Sequence, residues 1–187
     1  MIDKDAKLSK AAEILEGKVV EDAIGLEVCV KGTVLGFPVT LQALRASFPF
    51  GITYVVETDV MAENAPRDPA LMNLTIMPRY ARGFFGFITR LFLLESKGEK
   101  MGDKKFDSKY IVSTNNHNEA ERFIRYPGVV DKIEALQVNT KFNEIGVKAK
   151  AGLYLSQPTS FNAVNLDVVR ASFKELGELG QVLFEAF

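Results

Sequence analysis

The chain has 187 residues, 47% of them hydrophobic and 25% charged, so it can bury a core and is neither a disordered tail nor a low-complexity protein. Twenty-three Lys and Arg stand against 24 Asp and Glu, a formal net charge of −1 that gives no global field for nucleic acid or an anionic surface. One cysteine, Cys29, and one histidine, His117, exclude an intrachain disulfide framework, Cys-rich zinc or iron–sulfur sites and a multi-histidine metal cluster.

The start, Met1-Ile2-Asp3-Lys4-Asp5, carries acids where a secretory signal has a basic start and an apolar run, which reads as cytoplasmic. Over residues 5–16, Leu8, Ala11, Ala12 and Leu15 fall at i, i+3, i+4 and i+7, so an amphipathic helix is expected, with Gly17 as its C′ residue. From Leu26 the period becomes two: Leu26, Val28 and Val30 alternate with Glu27, Cys29 and Lys31. After Gly36-Phe37-Pro38, Val39, Leu41 and Ala43 resume, which predicts a hairpin turning near Gly36. Ile52 to about Met61 reads as a third strand, residues 62–69 as a loop, and Leu71 to Met77 as a fourth strand stopped by Pro78.

Residues 83–94 are the most apolar run and fit a helix or a strand equally, because periodicity fails where every residue is apolar. The run is too short to span a bilayer, which takes about 20 apolar residues. Ser96 to Lys105 reads as a charged connection and Phe106 to Ser113 as another strand. A helix is expected over Asn118 to Tyr126, capped by Asn116 or Asn118 and broken by Pro127-Gly128, and a second helical stretch begins at Val129. Ile145 to Ala149 and Leu153 to Ser156 bracket a second hairpin. After Asn165 as cap, Leu166, Val169, Phe173, Leu176, Gly180, Leu183 and Phe187 give a long terminal helix with one apolar seam, which packs on the sheet or serves as a homo-oligomer contact. Together these elements predict one domain over residues 1–187, of the α+β class: an antiparallel β-sheet of six to seven strands covered by helices on one face.

Few residues carry chemistry. His117 lies in a polar turn and reads as an exposed residue at a helix start; a general base there has no partner motif. Cys29 shares a strand face with Lys31, which would lower its pKa, but a lone strand cysteine reads as a small packed side chain. Glu57 and Asp59 sit at i and i+2 on one strand and could serve Mg²⁺ or acid–base work, but no second acidic motif completes a site and they read as the solvated outer face of an antiparallel sheet. Gly83-x-x-Gly86 and Gly177-x-x-Gly180 lack the spacing of a phosphate loop, and Gly177 and Gly180 read as close-packing positions on the sheet or a partner helix.

Residues 79–109 carry eight basic side chains against four acidic ones, around Phe84, Phe85, Phe87 and Phe92. Arg79, Arg82, Phe84, Phe85, Phe87 and Arg90 are therefore the candidate ligand or membrane contacts, with a buried core element favoured over a membrane-interface one. The aromatics are clustered rather than interleaved with the bases, which argues against nucleic acid.

The segment 101–113, with Gly102-Asp103, Phe106-Asp107, Tyr110 and Val112, is followed by a helix starting Asn118-Glu119-Ala120-Glu121-Arg122. Together with Arg82-Gly83-Phe84-Phe85-Gly86 it resembles uncharacterised bacterial domains that read G-D-x-x-F-D-x-x-F/Y-x-V. The resemblance covers residues 80–157, with Tyr110 where Phe is commoner. It implies a bacterial origin, an α+β fold and no established activity. As architecture, Gly102-Asp103 should make a tight turn, Phe106 should anchor the start of the strand, Tyr110 and Val112 should share one strand face, and Asp107 should bond turn amides. The expected function is a non-enzymatic binding or interaction domain for a small apolar or anionic ligand or a protein partner, without cofactor or metal. Carboxylate-dependent hydrolase or transferase chemistry through Glu57, Asp59, Asp103 or Asp107, and a peripheral membrane role through 83–94, are the alternatives.

Overall fold

A computed structural model of the chain describes residues 4–21, 25–44, 51–57, 73–79, 98–148 and 152–186. The elements run α1 (Lys4–Ile14), β1 (Lys18–Val19), β2 (Leu26–Val34), β3 (Phe37–Leu44), β4 (Ile52–Val56), β5 (Leu74–Pro78), α2 (Lys104–Lys109), β6 (Tyr110–Thr114), α3 (His117–Arg125), α4 (Val129–Thr140), β7 (Glu144–Lys148), β8 (Gly152–Gln157) and α5 (Leu166–Ala186). The fold is α+β, and every strand pairing is antiparallel. The sheet has eight strands in the order β1-β2-β3-β4-β8-β7-β5-β6, more than the six to seven expected. The extra strand is β1, two residues long and too short to show a period in the sequence.

Register explains the core. Val30, Leu41, Tyr54, Leu155, Ile145, Ile76 and Val112 are successive cross-strand partners from β2 to β6, and each is buried. They point toward the helices, as the two-residue strand period requires. Above this row lies α5, whose Val169, Phe173, Leu176 and Leu183 are buried, with Phe173 stacked at a tilt on Tyr54, 5.2 Å between centroids. The seam of the terminal helix is thus covered within the chain, and α1, α3 and α4 pack beside it. Leu179 belongs to the same buried surface. Phe37 of β3 faces Gly177 and Gly180, but a methyl at either position would stand 3.5 Å or more from it, so ordinary contact, not close approach, occupies that space.

Gly17 has a different role from the one expected. The left-handed residue after α1 is Glu16, at φ 48°. Gly17 instead lets the chain cross β2, where an added Cβ would lie 1.9 Å from the Lys31 carbonyl oxygen and 2.4 Å from the Gly32 Cα. Gly32 meets Leu15 with the same lack of space, and the Thr33 amide donates to the Leu15 carbonyl at 2.8 Å.

The expected strand over 106–113 is helix in its first half. Asp103 caps α2, its Oδ1 accepting from the Phe106 amide at 2.8 Å, and β6 begins only at Tyr110. A local side-chain cap wins over the apolar alternation because it satisfies an otherwise orphaned helix-start donor. The rest of the segment behaves as anticipated. Gly102 is left-handed at φ 78°, Phe106 and Tyr110 are buried and stacked 4.9 Å apart, and Asp107 accepts from the amides of Met101 at 2.9 Å and Gly102 at 3.1 Å. Asp107→Ala should therefore cost about 2 kcal/mol, the loss of a charged acceptor from two turn amides, and a urea melt measures it.

Other boundaries shift slightly. The turn after β2 is Leu35-Gly36, the third strand is described as far as Val56, and the fourth includes Pro78, paired with Tyr110 at its end. Asn116 is the cap of α3, and Asn165 opens α5 by accepting from the Asp167 amide at 3.0 Å. The apolar run 83–94 lies outside the described residues. No helix among the described residues is long and apolar enough to cross a membrane.

Candidate functional site

Of the residues singled out from the sequence, those that are described do not converge. Arg79 closes β5, its amide donating to the Lys109 carbonyl at 2.8 Å and its Nε to the Asp107 carbonyl at 2.7 Å, so it ties β5 to α2. Arg82, Phe84, Phe85, Phe87 and Arg90 lie outside the described residues, as does Asp59. Glu57 follows β4 and accepts from the Thr40 hydroxyl at 3.3 Å. Asp103 and Asp107 sit beside β6, four strand steps away in the sheet, about 19 Å at ordinary strand spacing. Both are occupied by backbone amides.

His117 is the first residue of α3 and exposed, its Nδ1 2.5 Å from Glu99 Oε2, while Arg125 bonds Glu121 at 2.6 Å and the Met101 carbonyl at 3.2 Å. This exposed network orders the connection before α2, and exposed pairs of this kind contribute little stability. Cys29 is buried, and burial pushes its thiol up more strongly than neighbouring Lys31 pulls it down, which suits a packed side chain and not a thiolate. Among the described residues, no group of three or more His, Cys, Asp or Glu is placed to hold a metal ion.

Sequence reasoning missed two polar clusters. On the sheet face away from the helices, the Tyr154 hydroxyl donates to Glu144 and lies 3.4 Å from the Thr75 hydroxyl. Burial is the main reason its phenol pKa is raised. The ring stands over Gly146, where a Cβ would meet the Leu74 carbonyl oxygen at 2.2 Å, so its geometry is that of an aromatic covering a bare backbone position. Lys7, on the helix side, is buried. Its ammonium donates to the carbonyls of Asn162 at 2.8 Å and Val164 at 2.7 Å and sits 5.5 Å from the Phe161 ring, fixing α1 against the start of α5. Burial lowers its pKa.

Among the described residues, two clefts stand out as concave enough to hold a ligand. The smaller, about 340 Å³, lies between the start of α1 and β1–β2 and is crossed by the Lys4–Glu27 ion pair at 2.8 Å. The larger, about 440 Å³, is formed where the end of α1, the β2–β3 turn and the first half of α5 meet. Its apolar part is Ile14, Val34, Leu35 and Ala171, and its charged rim is Glu16, Asp167, Arg170 and Lys174. The crossing at Gly17 and Gly32 brings α1 onto β2, and the Leu35-Gly36 turn, both residues left-handed at φ 54° and 81°, sets the opposite lip. On α5, Asp167, Arg170, Ala171 and Lys174 fall on one face by the helical period.

The rim chemistry is simple. Lys174 reaches Glu178 only at 4.0 Å, and Arg170 makes no ion pair with a described residue. Among the described residues, no Ser, Cys or His lines the cleft, and its four rim charges are exposed to water, so these residues include no activated nucleophile and no desolvated acid or base. What remains is a patch that can bury an apolar body and neutralise a negative group. No protein-family model matches the chain, and neither a curated protein nor a solved structure is significantly similar to it.

Proposed function

We propose that the chain is a non-enzymatic binding domain, and that the cleft between α1, the β2–β3 turn and α5 takes a small amphipathic molecule with an anionic group. The observation that carries this reading is the combination in one concave space of an apolar wall and Arg170, a guanidinium without an ion pair among the described residues. The volume of about 440 Å³ lies within the range of small-molecule sites. Among the described residues, its walls carry no activated nucleophile and no buried titratable group, which favours binding over catalysis. Glu16 and Asp167, on the same rim, disfavour an anion lying across the whole cleft and favour one whose charge is confined to the Arg170–Lys174 end.

Anilinonaphthalene sulfonate, an apolar body with one sulfonate, is a suitable probe. Saturable one-to-one binding to the folded protein is expected, and Arg170→Glu should weaken it about tenfold or more while leaving the melting temperature unchanged, since the residue is exposed. Absence of binding, or binding indifferent to Arg170→Glu, contradicts the proposal.

A further inference from the structure

Among the described residues, the rim of the larger cleft carries two acids and two bases, Glu16 and Asp167 against Arg170 and Lys174. Their charges cancel. A simple anion in this space would still face two carboxylates, and a simple cation would face two bases, so neither is matched by the rim as a whole. The order along α5 sorts the signs. Asp167 stands one turn before Arg170, about 4.5 Å along the axis at the helical rise, and Lys174 lies one turn beyond. Opposite charges three residues apart are neighbours on a helix surface and commonly pair. Here no ion pair joins Asp167 to Arg170, and neither they nor Glu16 pair with another described residue. An acid and a base one turn apart are thus both left to the cleft, beside one apolar wall.

We propose that the ligand of this cleft is an α-amino acid with a large apolar side chain. The inference rests on the binding reading above and names the class of molecule. Its carboxylate meets the guanidinium fork of Arg170, with Lys174 beside it, and its ammonium meets Asp167, with Glu16 on the opposite wall. Two charges carried on one carbon match an acid and a base one helical turn apart. The side chain lies on the apolar surface of Leu35 and Ala171, where it excludes water from both contacts and strengthens ion pairs that are weak when exposed.

The protein contains no tryptophan, so the indole emission of an added ligand is a signal of its own. Tryptophan, N-acetyltryptophan and tryptamine share that indole body and carry, respectively, both charges, the carboxylate alone and the ammonium alone. Tryptophan should bind one to one and about tenfold or more tighter than either of the others. Asp167→Asn should weaken tryptophan about tenfold and leave N-acetyltryptophan within about twofold, while Arg170→Gln should weaken tryptophan about tenfold and leave tryptamine within about twofold. Both residues are exposed, so neither substitution should move the melting curve. The amino-acid assignment is overturned if N-acetyltryptophan binds as tightly as tryptophan, if either variant keeps the parent affinity for tryptophan, or if tryptophan fails to bind a protein that binds anilinonaphthalene sulfonate. The underlying binding reading fails separately, if the parent protein does not bind the dye or Arg170→Glu does not weaken it.

Discussion

Gly17→Ala should destabilise the protein by roughly 3 kcal/mol, at the upper end of what an added methylene costs in a packed interior. The backbone of Gly17 is not in the left-handed region, so the penalty does not come from conformation. It comes from the 1.9 Å separation between the new Cβ and the Lys31 carbonyl oxygen, with the Gly32 Cα at 2.4 Å. Both obstacles are backbone in a paired strand, where Lys31 faces Thr40 on one side and Lys18 on the other. No side chain can rotate away. Relief requires α1 to lift from β2, which breaks the bond from the Thr33 amide to the Leu15 carbonyl and uncovers Leu15, buried in the parent. For a chain of this length the expected loss is about 6–12 °C in melting temperature. Because the crossing also sets one wall of the larger cleft, probe affinity should fall in the same variant.

Phe173→Ala should cost more, about 3–5 kcal/mol, the range for removing a fully buried aromatic. The side chain is wholly inaccessible and lies against Tyr54, which is itself fully buried at the centre of the cross-sheet row. Truncation removes the aromatic contact and leaves a cavity between α5 and β4 that neither element can close, since β4 is held by β3 and β8 on both edges. Tyr54 should remain in place, because its hydroxyl donates to Gln157 at 2.6 Å. The denaturation midpoint should therefore fall with little change in the denaturant slope. A loss below 1 kcal/mol would mean that the terminal helix does not hold the sheet as described.

The parts of the fold that were readable from the sequence are those where one period and one cap act together. The α5 seam, the β2–β3 and β7–β8 hairpins and the Asp107 staple on its turn all follow from local spacing. What escaped has physical causes. β1 is two residues long and exists because α1 returns along β2, a tertiary event with no periodic trace. The helix Lys104–Lys109 hides in a stretch whose Phe106 and Tyr110 alternate as strand residues do, and the Asp103 cap decides between the two. The placement of β7 between β5 and β8 depends on pairings that no local signal encodes.

The larger cleft was invisible for a related reason. It draws on α1 and the β2–β3 turn near the start of the chain and on α5 near its end, and its charges look individually like solvated helix residues. One signal was present. Leu35 before Gly36 puts leucine where a primed turn wants Asn, Asp or Gly, a local disagreement of the kind that marks a functional position. The basic and aromatic residues after Arg79 stand out more strongly, because charge and aromatic clustering are visible along a sequence and a turn that breaks its own preference is not.

An amide-resolved nuclear magnetic resonance titration of the intact protein with anilinonaphthalene sulfonate locates the ligand site residue by residue. Saturable shifts are expected to concentrate at residues 14–16, 33–36 and 167–174, with Leu35 and Arg170 among the largest, and little change is expected across β5, β6 and α3. Shifts centred elsewhere, or no saturable response, would contradict the assignment of this cleft as the ligand site.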